Sequence, residues 1–339
     1  MEDLLNIVGW LLSVVTAIGN GFVVLLIAKN HRLYSSANWF VLSLAVADFG
    51  VGIAVFPSSY FCNYSMACDL RVYVAFFWFF LHSSVTNLCS LTWDRYIAIV
   101  HPLKYNDSMT ERRPGMVILI AWMIPFAISL LLLVGMYATK SPTVLKFLRT
   151  AGVSAFDIIS CALLLYGVVR ILIVARAQSR QVSALELQVQ RSTSSHPCNQ
   201  STVTEFATSC NRKKHNTAPF VIALVMFFLG CYVVVNYLVL CMAFSCHQVS
   251  DDTAQFVICL LVVNSAVNPL VYALLKNDIK TEISKLICRG NNCRQGIFLR
   301  ELKFPFSSFY CHISTYMPIA FVVFFTNFTP KVLSDLRSR

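Results

Sequence analysis

Asp94-Arg95-Tyr96-Ile97-Ala98-Ile99-Val100-His101-Pro102-Leu103-Lys104-Tyr105 closes an apolar run that opens at Val72. An Asp-Arg pair is ordinary in water and expensive inside lipid. At the foot of a membrane span it becomes a charged element that is held in one state and released in another. The reading of this stretch therefore turns on whether the run before it crosses a bilayer.

Composition says that it does. The chain has 339 residues, 57% of them hydrophobic and 13% charged, with a mean hydropathy of +0.66. Those values belong to a membrane protein rather than to two soluble domains. A lipid-spanning helix needs about 20 mainly apolar residues. Seven segments meet that length, at 5–28, 39–60, 72–100, 115–138, 147–175, 219–244 and 253–275. Only Asp48, Asp94, Asp157 and a few basic residues at helix ends interrupt them. The runs are continuous rather than alternating, which argues against a barrel. The expected fold is all-α, a seven-helix bundle occupying 1–288, with a poorly ordered tail at 289–339.

The net charge of +11 is no sign of nucleic acid, because it is confined to alternate loops. Lys29 and Arg32, then Lys104, Arg112 and Arg113, then 176–214 and 276–289 are basic, whereas the loops between them carry few cations. The positive-inside bias makes the basic set cytoplasmic and the N-terminus extracellular. Anionic lipid accounts for most of that charge. The first span begins almost at Met1 and reads as an uncleaved signal-anchor.

Most of the 13 cysteines lie within helices and act as small apolar residues. Cys62, Cys68 and Cys246 fall outside the membrane, where one disulfide forms: Cys62 with Cys68, or Cys68 with Cys246. Asn63-Tyr64-Ser65 is a glycosylation sequon on the same side. The segment 176–214 is a Ser-, Thr- and Gln-rich linker into which the fifth and sixth helices extend. After Tyr272, residues 277–287 set Ile279, Ile283, Leu286 and Ile287 opposite Lys280 and Lys285, as in a helix lying on the membrane surface. Cys288 at its end is a candidate for palmitoylation. Residues 310–328 are apolar but broken by Pro318, and read as an interfacial segment or a gene-model artefact.

Polar residues within the spans are functional candidates by default. Asp48 sits mid-span, and its candidate partners are Asn20, Ser84, Asn87, Asn264, Ser265 and Asn268. Such an oxygen-rich group holds Na⁺ with water, or is a hydrogen-bonded structural network. In Asn268-Pro269-Leu270-Val271-Tyr272 the proline removes a backbone donor, so the seventh helix deforms there and carries Tyr272 to the cytoplasmic side.

Gly19-Asn20, Leu44 to Asp48, the stretch from Asp94 to Tyr105, Trp122 and Asn268 to Tyr272 together resemble the rhodopsin-like G-protein-coupled receptors. The resemblance covers about residues 5–288, with each motif on its own helix in the family's order. It implies a plasma-membrane receptor that binds an extracellular ligand and activates a heterotrimeric G protein, with arrestin and receptor kinases as further partners. It also implies that Arg95 engages the G protein as helix six swings out, with Tyr166 and Tyr272 supporting that open state.

The chain departs from this family at defined places. Helix six reads Cys231-Tyr232-Val233-Val234, so Tyr232 stands at the toggle and the kinking proline is missing. Lys214 replaces the acid that locks Arg95, from which a weakly held resting state and appreciable basal activity are expected. Residues 137–146 contain no cysteine and helix five has Ile158 in place of its proline. These features, with Ser108-Met109-Thr110-Glu111-Arg112-Arg113, are similar to the melanocortin, lysophospholipid, cannabinoid and adenosine receptor group.

The ligand is narrowed by exclusion. Phe76-Phe77-Trp78-Phe79-Phe80 has no acid for an amine, and 257–263 has no Schiff-base lysine for retinal. Aromatic walls suit an apolar or lipid-like ligand. The pocket candidates are Phe77, Trp78, Leu81, Tyr232, Asn236 and Gln255, while Asp157 meets either a cationic ligand or a neighbouring helix. Seven histidines, read as scattered through loops and helix ends, offer no metal spacing. No inverted repeat points to a transporter. No cofactor is expected beyond an allosteric Na⁺, and no enzyme activity. The alternative to a coupled receptor is a receptor-shaped protein that is constitutively active or no longer couples.

Overall fold

A computed structural model describes residues 2–64, 68–102, 105, 112–139, 141–193, 218–243 and 251–290. Among them are seven long helices: α1 (Glu2–Lys29), α2 (Ser36–Tyr64), α3 (Leu70–Val100), α4 (Arg112–Ala138), α5 (Pro142–Thr193), α6 (Ala218–Ala243) and α7 (Asp251–Leu275). Each contains a span long and apolar enough to cross a bilayer. A 3₁₀ turn at His31–Leu33 joins α1 to α2, and a shorter helix, α8 (Asn277–Gly290), follows α7. The chain divides into two units, 1–276 and 277–339, and α8 belongs to the second.

The helix boundaries differ from the expected spans because a helix does not stop where its apolar run stops. Polar residues continue it into water as long as nothing removes a backbone donor. Thus α2 reaches Tyr64, so that Asn63 lies in helical backbone rather than in a loop, and α5 runs on to Thr193. At the start of α3 the Asp69 carboxylate accepts a hydrogen bond from Arg71 N at 2.9 Å and caps an open helix end. Tyr137, from the far end of α4, donates to the other Asp69 oxygen at 2.7 Å, and the Arg71 guanidinium lies 4.8 Å from the Tyr137 ring centroid. The Tyr137 hydroxyl, first among the causes, holds the Asp69 carboxyl below its ordinary range. Cys62 is disulfide-bonded to Cys68 close by.

Side-chain burial is inverted on the outer helices, as lipid requires. Ile18, Leu131 and Leu163 are 68%, 72% and 60% exposed, while the buried positions of α2 and α3 include Asp48, His82, Asn87, Asp94 and Arg95. Without water to drive association, close helix contact relies on small residues. Gly52 supplies one such contact, since a Cβ there would lie 2.7 Å from Ala17 N and 3.1 Å from Ser13 O. Those are backbone atoms of α1 and cannot rotate away. Gly52→Ala is expected to cost about 1–3 kcal/mol of stability, read as a lower unfolding temperature of the purified protein. Gly115→Ala, at a helical position with nothing within 4 Å, is the control and should not lower that temperature.

Candidate functional site

Two polar centres lie along the bundle. The first surrounds Asp48, which is completely buried on α2. Ser84 Oγ of α3 donates to Asp48 Oδ1 at 2.6 Å, and Ser265 Oγ of α7 donates to the same oxygen at 2.7 Å. Asn268 Nδ2 donates to Oδ2. Three helices therefore meet on one carboxylate, which a dry interior tolerates only when its lone pairs are so engaged.

The other residues expected here stand further off. Asn20 is buried but donates to Ser265 O and Thr16 O, each at 3.0 Å, and reaches Asp48 only through Ser265. Asn87 belongs to another group: it accepts from Ser43 Oγ at 2.6 Å, and Ser43 in turn accepts from Trp122 Nε1 at 3.0 Å. The Asn264 amide has no hydrogen-bond partner among the described residues.

The second centre is the foot of α3. Arg95 Nε donates to Asp94 Oδ2 at 2.9 Å, and Nη2 donates to the same oxygen. Tyr105 OH donates to Asp94 Oδ1 at 3.1 Å. Burial, and then the Asp94 charge, pushes the Tyr105 hydroxyl up to about 12. It therefore remains protonated and donating at physiological pH. Arg95 is 6% exposed and Asp94 not at all. Gln178 Nε2 of α5 donates to Ile99 O at 3.4 Å, tying that helix to the base of α3.

Tyr96 and Tyr166 are neighbours, with ring centroids 6.4 Å apart, but Tyr166 is 57% exposed and faces outward. Tyr272 is fully buried, and its hydroxyl has no hydrogen-bond partner among the described residues. Pro269 lies inside α7, which continues past Tyr272 to Leu275.

Of the pocket candidates, Phe77, Leu81 and Tyr232 are buried, and Tyr232 stacks on Phe228 with centroids 4.0 Å apart. Trp78 stacks on His82 at 5.3 Å. Asn236 Nδ2 donates to Tyr232 O within its own helix, and Gln255 Nε2 donates across to Asn6 Oδ1 of α1. These two amides thus engage the bundle itself, leaving Asn236 Oδ1 and Gln255 Oε1 without partners among the described residues.

The reading of all histidines as loop and end residues is corrected by His82. It lies within α3, fully buried, with Nε2 3.9 Å from Asp157 Oδ1 of α5. Asp157 thus faces a neighbouring helix. The sequence signal for it is an ionisable residue in the middle of an apolar run. Lys214 and Cys246 lie outside the described residues, as do the side chains of Asn63 and Cys288 and the tail from 291 onward.

The description "7 transmembrane receptor (rhodopsin family)" matches residues 19–272. The chain belongs to the rhodopsin family of seven-transmembrane receptors. It is 28% identical over 316 residues to the adenosine receptor A2a of Homo sapiens, covering 84% of this chain and 72% of that one. With trace amine-associated receptor 6 of Rattus norvegicus it shares 25% identity over 332 residues, covering 86% of this chain and 88% of the relative. A probable G-protein coupled receptor, No18, of Amphibalanus amphitrite is 26% identical over 336 residues, covering 80% and 86%. This is a family of multi-pass membrane receptors and not of enzymes.

Proposed function

We propose that this receptor sits in the plasma membrane with its N-terminus outside, takes an apolar or lipid-like extracellular ligand, and activates a heterotrimeric G protein through Arg95. The observation that carries the reading is the state of Arg95. Its one ion pair among the described residues is with Asp94 on the same helix, so breaking it requires no separation of helices. A partner that offers acceptors to the guanidinium competes with one neighbouring carboxylate.

The ligand class rests on α3. Phe77, Trp78 and Leu81 carry no charge, while Asp157 Oδ1 stands 3.9 Å from His82 Nε2 with neither atom hydrogen-bonded among the described residues. Asp48 with the Ser84 and Ser265 hydroxyls forms a set of hard oxygen donors suited to Na⁺. That ion would add charge neutralisation between α2, α3 and α7. Arrestin and receptor kinases are the further cytoplasmic partners. Glycosylation of Asn63 and palmitoylation of Cys288 belong to the same reading.

The test is expression in cells carrying promiscuous G-protein reporters, screened with matched panels of neutral lipids and protonated amines. A response to members of the neutral panel is expected. Responses to amines alone would overturn the ligand class. Silence across all reporters, with normal surface expression, would instead favour a receptor that no longer couples.

A further inference from the structure

The start of α6 is held by side chains at the end of α7. Phe220, in the first turn of α6, is fully buried. Its ring meets that of Tyr272 edge-on, with centroids 6.3 Å apart and planes at 73°. Lys276 Nζ lies 5.9 Å from the same ring centroid. Lys276 N donates to Tyr272 O at 3.0 Å, so the two residues are successive turns on one face of α7's end. Tyr272 and Lys276 are 0% and 2% exposed. An aromatic ring is negative on its face and positive at its edge, and both contacts use that quadrupole. A cation beside a ring gains more when water is excluded, as it is here.

We propose that Phe220 is a positioning residue: by holding Tyr272 and Lys276 it keeps the cytoplasmic end of α6 against α7, and so sets how often Arg95 becomes accessible. The inference rests on the reading of Arg95 as the coupling residue. It adds that the resting state is held by an aromatic–cation contact between α6 and α7. Among the described residues no ion pair joins Arg95 to α6, and a restraint on that helix is open to other contacts. The Phe220 cluster supplies it with groups from both helices. Two-state coupling of this kind requires contacts that differ between the states. These contacts break if α6 moves outward.

The experiment compares Phe220→Ala, Phe220→Leu and Lys276→Met with the unmodified full-length receptor. Basal G-protein activation is measured at matched surface expression, and hydrogen exchange of residues 218–225 is measured in lipid nanodiscs. Phe220→Ala is expected to raise basal activation about fivefold and to speed exchange in that segment. Leucine keeps bulk without a quadrupole, so Phe220→Leu should follow alanine. Lys276→Met should raise basal activation about twofold, and it carries the test if Phe220→Ala fails to reach the surface.

Leucine behaving as phenylalanine, or variants indistinguishable from the parent in both readouts, would overturn the proposal. Faster exchange without coupling by any receptor would refute the signalling role of Arg95 and leave the α6–α7 contact standing.

Discussion

Arg95→Ala leaves the receptor at the cell surface and lowers G-protein activation by about 30-fold or more, the effect expected when one member of a close charged contact with a partner is removed. Folding survives because Asp94 retains the Tyr105 hydroxyl at 3.1 Å. A buried carboxylate with one remaining donor at the foot of a span relaxes toward water or takes up a proton, either of which costs less than unfolding a bundle. Arg95→Lys is the sharper variant. It keeps the charge but loses the planar fork that donates through Nε and Nη2 to Asp94 Oδ2. Activation should fall with lysine as well, by less than with alanine. Surface expression and a second-messenger reporter in the same cells decide the matter. Full activation by the alanine variant would remove Arg95 from the coupling role.

The second large effect belongs to Asp48→Asn. In the parent protein the carboxylate accepts from Ser84, Ser265 and Asn268 together. An amide in that place presents one acceptor and one donor group, so the three donors can no longer all be satisfied. A buried donor left without an acceptor costs about 1–3 kcal/mol, and a lower unfolding temperature is expected on that ground alone. The sodium reading makes a separate demand. At constant ionic strength, replacing potassium by sodium at ten times its dissociation constant should stabilise the parent receptor by about 1.4 kcal/mol. Asp48→Asn should abolish that difference. A parent receptor with the same unfolding temperature in either salt would make Asp48 purely structural.

The seven spans could be read from the chain because lipid imposes a length and an apolarity that few other environments demand together. Asp48 was legible for the same reason: a carboxylate within a span must be engaged. Its partners were only half legible. Ser84, Ser265 and Asn268 meet it, while Asn20 and Asn87 bond elsewhere, because the rotation of each helix about its axis is set by packing against neighbours. A run of apolar residues on every face does not reveal that rotation. Tyr166 shows the same limit, since its 57% exposure could not be read from its neighbours in sequence. His82 is visible in the sequence as an ionisable residue within a span, but its place opposite Asp157 is not, because that depends on two helices distant in sequence. The extension of α5 beyond its apolar run, expected from the sequence, reaches Thr193.

That extension of α5 has a mechanical consequence. A helix of 52 residues is about 78 Å long, more than twice the thickness of the hydrocarbon layer. From the middle of its span to Thr193 the arm is roughly 42 Å, taken at the helical rise per residue. A tilt of about 5° within the membrane sweeps the tip of such an arm through nearly 4 Å, by the same rise. Gln178, bonded to Ile99 O, ties α5 to the base of α3 partway along that arm. A small change of tilt among the spans is thus read as a displacement of several ångströms at Thr193, where α5 ends.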